Sequence, residues 1–142
     1  MMSKFVSAMI FLAFLALASA EEVVNVYSAR HYETDEGLYA TFTERTGIRV
    51  RLIEGDSDEL IVRMQSEGAN GPADVFITVD AGRLWRAEQA GLLAPLDSAL
   101  VEAAVPAHLR HPEGLWTGLT QRVRGIVTSV DRVEEGAITR YE

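Results

Sequence analysis

Val23-Val24-Asn25-Val26-Tyr27-Ser28-Ala29-Arg30-His31-Tyr32 starts as a β-branched run and ends on an imidazole beside a phenol. Short runs rich in Val, Ile and Tyr read as strands, so Val23 to Ser28 is the first strand. The segments that follow alternate strand and helix patterns with short punctuation between them. That alternation implies βαβ units and a mostly parallel sheet, an α/β fold. In open sheets of this kind ligands lie just past the carboxyl ends of the strands. His31 and Tyr32 fall at such an end and form a candidate metal site.

Working outward, Thr34 or Asp35 can cap a helix to about Thr46, with Leu38 and Phe42 on one inward face and Gly47 as its stop. Ile48 to Ile53 alternates apolar and charged residues, the pattern of a strand with a wet face or at a sheet edge. Asp56 and Glu59 form a capping pair for a helix that buries Leu60, Ile61 and Met64 and stops at Gly68. After the Asn70-Gly71-Pro72 turn, Ala73 to Val79 is the most apolar strand candidate and is expected to be central. Asp80 precedes another helix, with Leu84 and Ala87 inward and Gly91 as its stop. Asp97 opens a short helix to about Ala104. Pro106 to Gly114 reads as a loop, and Trp116 to Ser129 as one or two strands bent near Gly125. From Val130 the pattern weakens.

Residues 1–20 read as a secretory leader. Lys4 supplies the charged start, Phe5 to Leu17 the apolar stretch, and Ala18-Ser19-Ala20 a small-residue cleavage site. Cleavage is expected after Ala20, with no Cys following the apolar stretch to carry a lipid. The mature protein is thus expected to be exported and periplasmic. The 142 residues carry a net charge of −8. Lys4 is the only lysine and leaves with the leader, so arginines alone face the acidic groups. A chain of this sign is repelled by nucleic acid and anionic membranes and suits cationic partners. The absence of cysteine removes disulfides and thiolate metal chemistry, leaving oxygen and imidazole donors for harder or borderline ions.

Imidazole is a common metal ligand, whereas a phenol must lose a proton with a pKa of about 10. Only a strongly Lewis-acidic centre holds the deprotonated form near neutrality, and ferric iron suits this best. The competing reading is structural: His31 bonds loop backbone and Tyr32 is an amphipathic rim residue. Arg30 either tunes the same loop or points to water.

The run YSARHYETDEGLYATFTERTGI from Tyr27, then EGDSDELIVRMQSEGANGPADVFITVDAGRLWRAEQAGLLAPL from Glu54, then GLWTGLTQRVRGIV from Gly114, resembles the periplasmic ferric-iron-binding proteins of bacterial ABC importers. It is most similar to their tyrosine-clamp branch, which includes the cyanobacterial iron-binding proteins. The resemblance runs along the whole mature chain, and GANGPADVFITVDAGRL is its most specific block. It implies a periplasmic-binding-protein type II-like fold: two α/β lobes joined by hinge strands, with Fe(III) in the cleft between them. On that frame residues 21–124 are the N-terminal lobe, and 125–142 are the hinge and the beginning of a second lobe.

The resemblance implies that His31 and Tyr32 are metal ligands and that three further clamp tyrosines lie beyond Glu142. The chain is therefore expected to be an N-terminal fragment. Tyr141 matches a packing position rather than a ligand. A glutamate ligand of another branch falls at Val79 here, which favours the clamp. Arg122 and Arg124 match a region where relatives hold an arginine near the metal or near an anion bound with it, such as carbonate. Alternation puts both on one strand face, and a solvated face explains them as well. Asp80 could reach the metal or act as an N-cap. His108 and His111 are three apart between prolines, which argues against a helical metal pair. Trp85 and Trp116 read as packing residues. Nucleotide and hydrolase motifs are missing from the sequence.

The expected function is capture of Fe(III) in the periplasm and its delivery, by a monomer, to an inner-membrane ABC permease. Two other readings stand beside it: a carrier of another small solute, an oxyanion or polyamine, and a truncated, non-functional product too short to enclose iron. A secreted metal-dependent enzyme would need a general base beside an open coordination position, which the sequence does not supply.

Overall fold

Both edges of the first strand are paired in the computed structural model, which describes residues 22–140. The leader and Tyr141 lie outside the described residues. Strand β1 (Val23–Ser28) forms the middle of a parallel sheet of order β2-β1-β3. It pairs with β2 (Arg49–Glu54) from Val23↔Arg49 to Ser28↔Glu54, and with β3 (Val75–Ile77) from Val26↔Val75 to Ser28↔Ile77. The carboxyl ends of all three strands therefore finish together.

The expectation of a long, central third strand is corrected: β1 holds the centre, and β3 is a three-residue neighbour with Val75 exposed. Burial explains the exchange. Val26, Tyr27 and Ser28 are buried at successive positions, so both faces of β1 are covered. In β2 the arginines face water, as the alternation requires.

Helix α1 (Glu33–Thr46) starts from Tyr32, whose extended backbone forms the cap without a side-chain hydrogen bond, rather than from Thr34 or Asp35. Asp35, Leu38 and Phe42 share one helical face, but only Asp35 is buried, so the expected inward face is covered at its first turn and left exposed at Leu38 and Phe42. At that first turn an arginine in the preceding loop pairs with Asp35. Gly47 ends the helix in the left-handed region at φ 76°, where a Cβ would be strained. Helix α2 (Ser57–Glu67) follows its sequence reading closely. Asp56 accepts the Asp58 N–H at 2.8 Å, and Leu60, Ile61 and Met64 are buried. The Tyr27 hydroxyl donates to Glu67 at 2.8 and 2.9 Å, tying the end of α2 to β1.

Two compact units divide the chain, one running through Asp80 and the other beginning at Ala81. The second contains helices α3 (Ala81–Gln89) and α4 (Ala99–Ala104). Ser98, not Asp97, caps α4 by accepting the Val101 N–H. Ala87 is buried as expected, whereas Trp85 is exposed and so is no packing residue. The expected strands over Trp116 to Ser129 shrink to one antiparallel bridge, Arg110↔Thr117. Residues 118–129 form no strand among the described residues, and Val123 and Val127 are 93% and 94% exposed. A strand-like pattern becomes a strand only against a partner that takes its backbone hydrogen bonds. Among the described residues, no helix is long and apolar enough to cross a membrane.

Candidate metal site

Ser28, fully buried at the end of β1, turns the chain out of the sheet. Its Oγ accepts the Arg30 N–H at 3.1 Å and donates to the Arg30 carbonyl at 3.3 Å. Neighbouring strands hold the same place: Ala29 N–H donates to the Ile77 carbonyl at 2.8 Å, and Gly55 N–H to the Ser28 carbonyl at 3.2 Å. The loop that follows is thus anchored on both sides at its root.

Arg30 then fixes the loop to α1. Its guanidinium grips Asp35 with two bonds, Nε to Oδ2 at 2.9 Å and Nη2 to Oδ1 at 3.0 Å, both side chains being largely buried. Those bonds hold the Asp35 carboxyl below the usual aspartate range, against burial, which pushes it up. They also raise the Arg30 pKa further above its ordinary value. The same guanidinium lies over the Tyr32 ring, 4.9 Å from its centroid, a cation–π contact. The Tyr32 carbonyl accepts the Asp35 N–H at 2.9 Å. Tyr32 is therefore held by backbone and ring face, while 47% of its surface stays open.

His31 stands between these anchored residues, its side chain 59% exposed. Its Nδ1 lies 3.2 Å from Oε1 of Glu54, the last residue of β2. Sequence reading missed Glu54 because its importance is positional: parallel register sets it opposite Ser28. Closer to the other strand, the Ser57 and Thr78 hydroxyls bond at 2.8 Å and join the start of α2 to the end of β3. The chain passes from β1 to one neighbour and later to the other, so β1 marks the point where the strand order reverses. A ligand crevice is expected outside the strand ends at such a point.

His31 and Tyr32 thus offer one nitrogen and one oxygen donor from adjacent positions. Among the described residues, no three His, Asp or Glu side chains gather in a metal-binding group. Asp80 is exposed at the end of the first unit, directly before α3. Arg122 and Arg124 are exposed in the second unit, outside any strand. Asp80, Arg122 and Arg124 each make polar or electrostatic contacts. His108 sits in a single 3-10 turn, Ala107–Leu109, that ends before His111, so no helix aligns the two histidines, in keeping with the flanking prolines. His111 packs on Trp116 with ring centroids 5.4 Å apart and lies 3.5 Å from Glu88, which also accepts the Trp116 indole N–H at 3.0 Å. These contacts give His111 and Trp116 a structural role.

Comparison with known proteins adds an independent finding. Residues 25–138 match the model of the family described as bacterial extracellular solute-binding protein. The chain is 51% identical over 122 residues to iron uptake protein A1 of Synechocystis, an alignment covering 86% of this chain and 34% of that protein. It is 35% identical over 105 residues to the Fe(3+)-binding periplasmic protein of Serratia marcescens, covering 74% and 31%. Among solved structures, Trichodesmium IdiA (FutA) in complex with iron and citrate ligands superposes with a TM-score of 0.66 at 59% identity, over 68% of this chain and 30% of that one. The chain spans about a third of the length of the curated relatives it matches.

Proposed function

We propose, for a chain that belongs to the bacterial extracellular solute-binding proteins, that it captures ferric iron outside the cytoplasm and holds it for an inner-membrane ABC permease. The observation that carries this reading is the pairing of His31 and Tyr32 on a loop anchored at both ends, at the carboxyl end of the central strand. A hard trivalent ion favours phenolate oxygen, and its charge makes loss of the phenol proton favourable. Imidazole adds a borderline donor. In the proposed complex His31 and Tyr32 are two of the ligands, and the remaining positions are filled by donors from outside the described residues or by a bound anion. Arg122 and Arg124 are proposed to serve that anion, carbonate being the simplest that fits their planar forks, and Asp80 to act near the metal. The leader is proposed to deliver the chain to the periplasm with cleavage after Ala20. Residues 21–124 are proposed as an N-terminal lobe and 125–142 as the start of a hinge, in a protein acting as a monomeric carrier rather than an enzyme. Domain closure would then shield the ion, as in periplasmic binding proteins.

The test is optical. Titrating the chain with ferric citrate should produce a visible tyrosinate-to-iron charge-transfer band, and Tyr32→Phe should abolish or strongly weaken it. A band of equal strength in the variant would remove Tyr32 from the site.

A further inference from the structure

We infer that Glu54 is the positioning residue for His31, selecting its Nε2 as the metal-binding nitrogen; the inference rests on the reading of His31 as an iron ligand. Oε1 of Glu54 lies 3.2 Å from Nδ1. A carboxylate only accepts hydrogen bonds, so this contact requires the proton on Nδ1. In the neutral ring the lone pair then resides on Nε2, on the far side of the ring from Glu54. A metal-binding histidine usually donates its other ring N–H in this way, which fixes both tautomer and ring direction.

The arrangement is built rather than incidental. Glu54 is paired in register with Ser28, and the next residue, Gly55, donates its N–H to the Ser28 carbonyl at 3.2 Å. The carboxylate is therefore delivered by the strand bordering the site, and His31 by the strand beside it. The His31 side chain is 59% exposed, so packing covers less than half of it. A directional hydrogen bond from a rigid strand end orients the ring. Tyr32 is oriented by a different device, the Arg30 guanidinium on its ring. The two adjacent candidate ligands are thus steered independently.

The experiment uses the full chain at pH 8, where an ordinary imidazole is neutral. Iron affinity is measured by competition with citrate, and the His31 tautomer of the metal-free chain by ring carbon and nitrogen NMR. Wild type should hold the proton chiefly on Nδ1. Glu54→Ala should shift it toward Nε2 and weaken iron binding about 10- to 100-fold, while the charge-transfer band from Tyr32 keeps its position. Glu54→Gln retains an acceptor oxygen and should lose less affinity than Glu54→Ala. If His31→Ala weakens iron binding while Glu54→Ala changes neither affinity nor tautomer, the inference fails and the iron reading survives. If Nδ1 proves to be the metal-bound nitrogen, with Glu54 a ligand beside it, the positioning role is overturned. If His31→Ala leaves affinity unchanged, the ligand reading falls and the inference with it.

Discussion

Arg30 and Asp35 form a two-bond clamp, at 2.9 and 3.0 Å, that closes the loop carrying His31 and Tyr32. Four residues intervene, so the clamp shapes the loop instead of merely decorating a surface. The pair is largely buried, and each partner leaves a charge stranded when the other is removed. Asp35→Ala should therefore cost about 2 to 3 kcal/mol in urea unfolding at pH 7. It should also loosen the Tyr32 ring, seen as increased phenol mobility by NMR.

The same clamp sets an acid limit. The folded-state pKa of Asp35 is depressed, so its stabilisation is fully present above the unfolded aspartate value of about 3.9. It is lost as pH falls through the lower folded value. Glu67 is held low as well, chiefly by Arg63 and then by the Tyr27 hydroxyl, and contributes in the same direction. Unfolding free energy should decline as pH drops below about 4. In Asp35→Asn the decline should be shallower, since one linked proton is gone.

Tyr27 is fully buried, and burial is the main cause of its raised pKa, with the Glu67 hydrogen bond second. Tyr27→Phe deletes the O–H donor while Arg63 Nε still holds Glu67 at 2.8 Å. The expected loss is about 1 kcal/mol in chemical denaturation, because the carboxylate is left with a partner. Tyr27→Ala should cost about 3 kcal/mol or more through the cavity it opens.

Along α2, burial should sort the variants. Leu60 and Ile61 are buried, and Leu60→Ala should cost about 2 to 5 kcal/mol. Val62, on the exposed side of the same turn, should tolerate alanine within about 0.5 kcal/mol. Thermal unfolding of the two variants reads the contrast directly.

Tyr32→Phe and His31→Ala should separate stability from binding. Tyr32 caps α1 through backbone alone, and about half of Tyr32 and more than half of the His31 side chain are open to water. Each variant should unfold within about 0.5 kcal/mol of wild type, while Tyr32→Phe loses the iron-dependent absorbance and His31→Ala binds iron more weakly.

Features set by neighbours in the sequence were legible there. The bounds of β1, the Asp56 cap and the Leu60, Ile61 and Met64 face of α2 all follow from local pattern. The adjacency of His31 and Tyr32 needs no fold at all. Features set by a partner distant in the chain were not legible. Leu38 and Phe42 have helical spacing and share a face with Asp35, yet only Asp35, paired with Arg30 from the preceding loop, is buried. Residues 118–129 alternate like a strand and find no strand to pair with among the described residues. Glu54 lies one residue past the strand read from the sequence, and only the register opposite Ser28 reveals what it faces.

The middle position of β1 has a consequence for biogenesis. It leaves the ribosome before either of its neighbours, and its last partner, Ile77, is made about fifty residues later. Until then one edge of an apolar, β-branched segment stays open, a hazard for intermolecular pairing. Joining it to two distant strands also demands closure of long loops before any reward, which slows folding. The segment that sets up the histidine and tyrosine is therefore synthesised early and secured late, and a chaperone that shields it in the interval has a defined target.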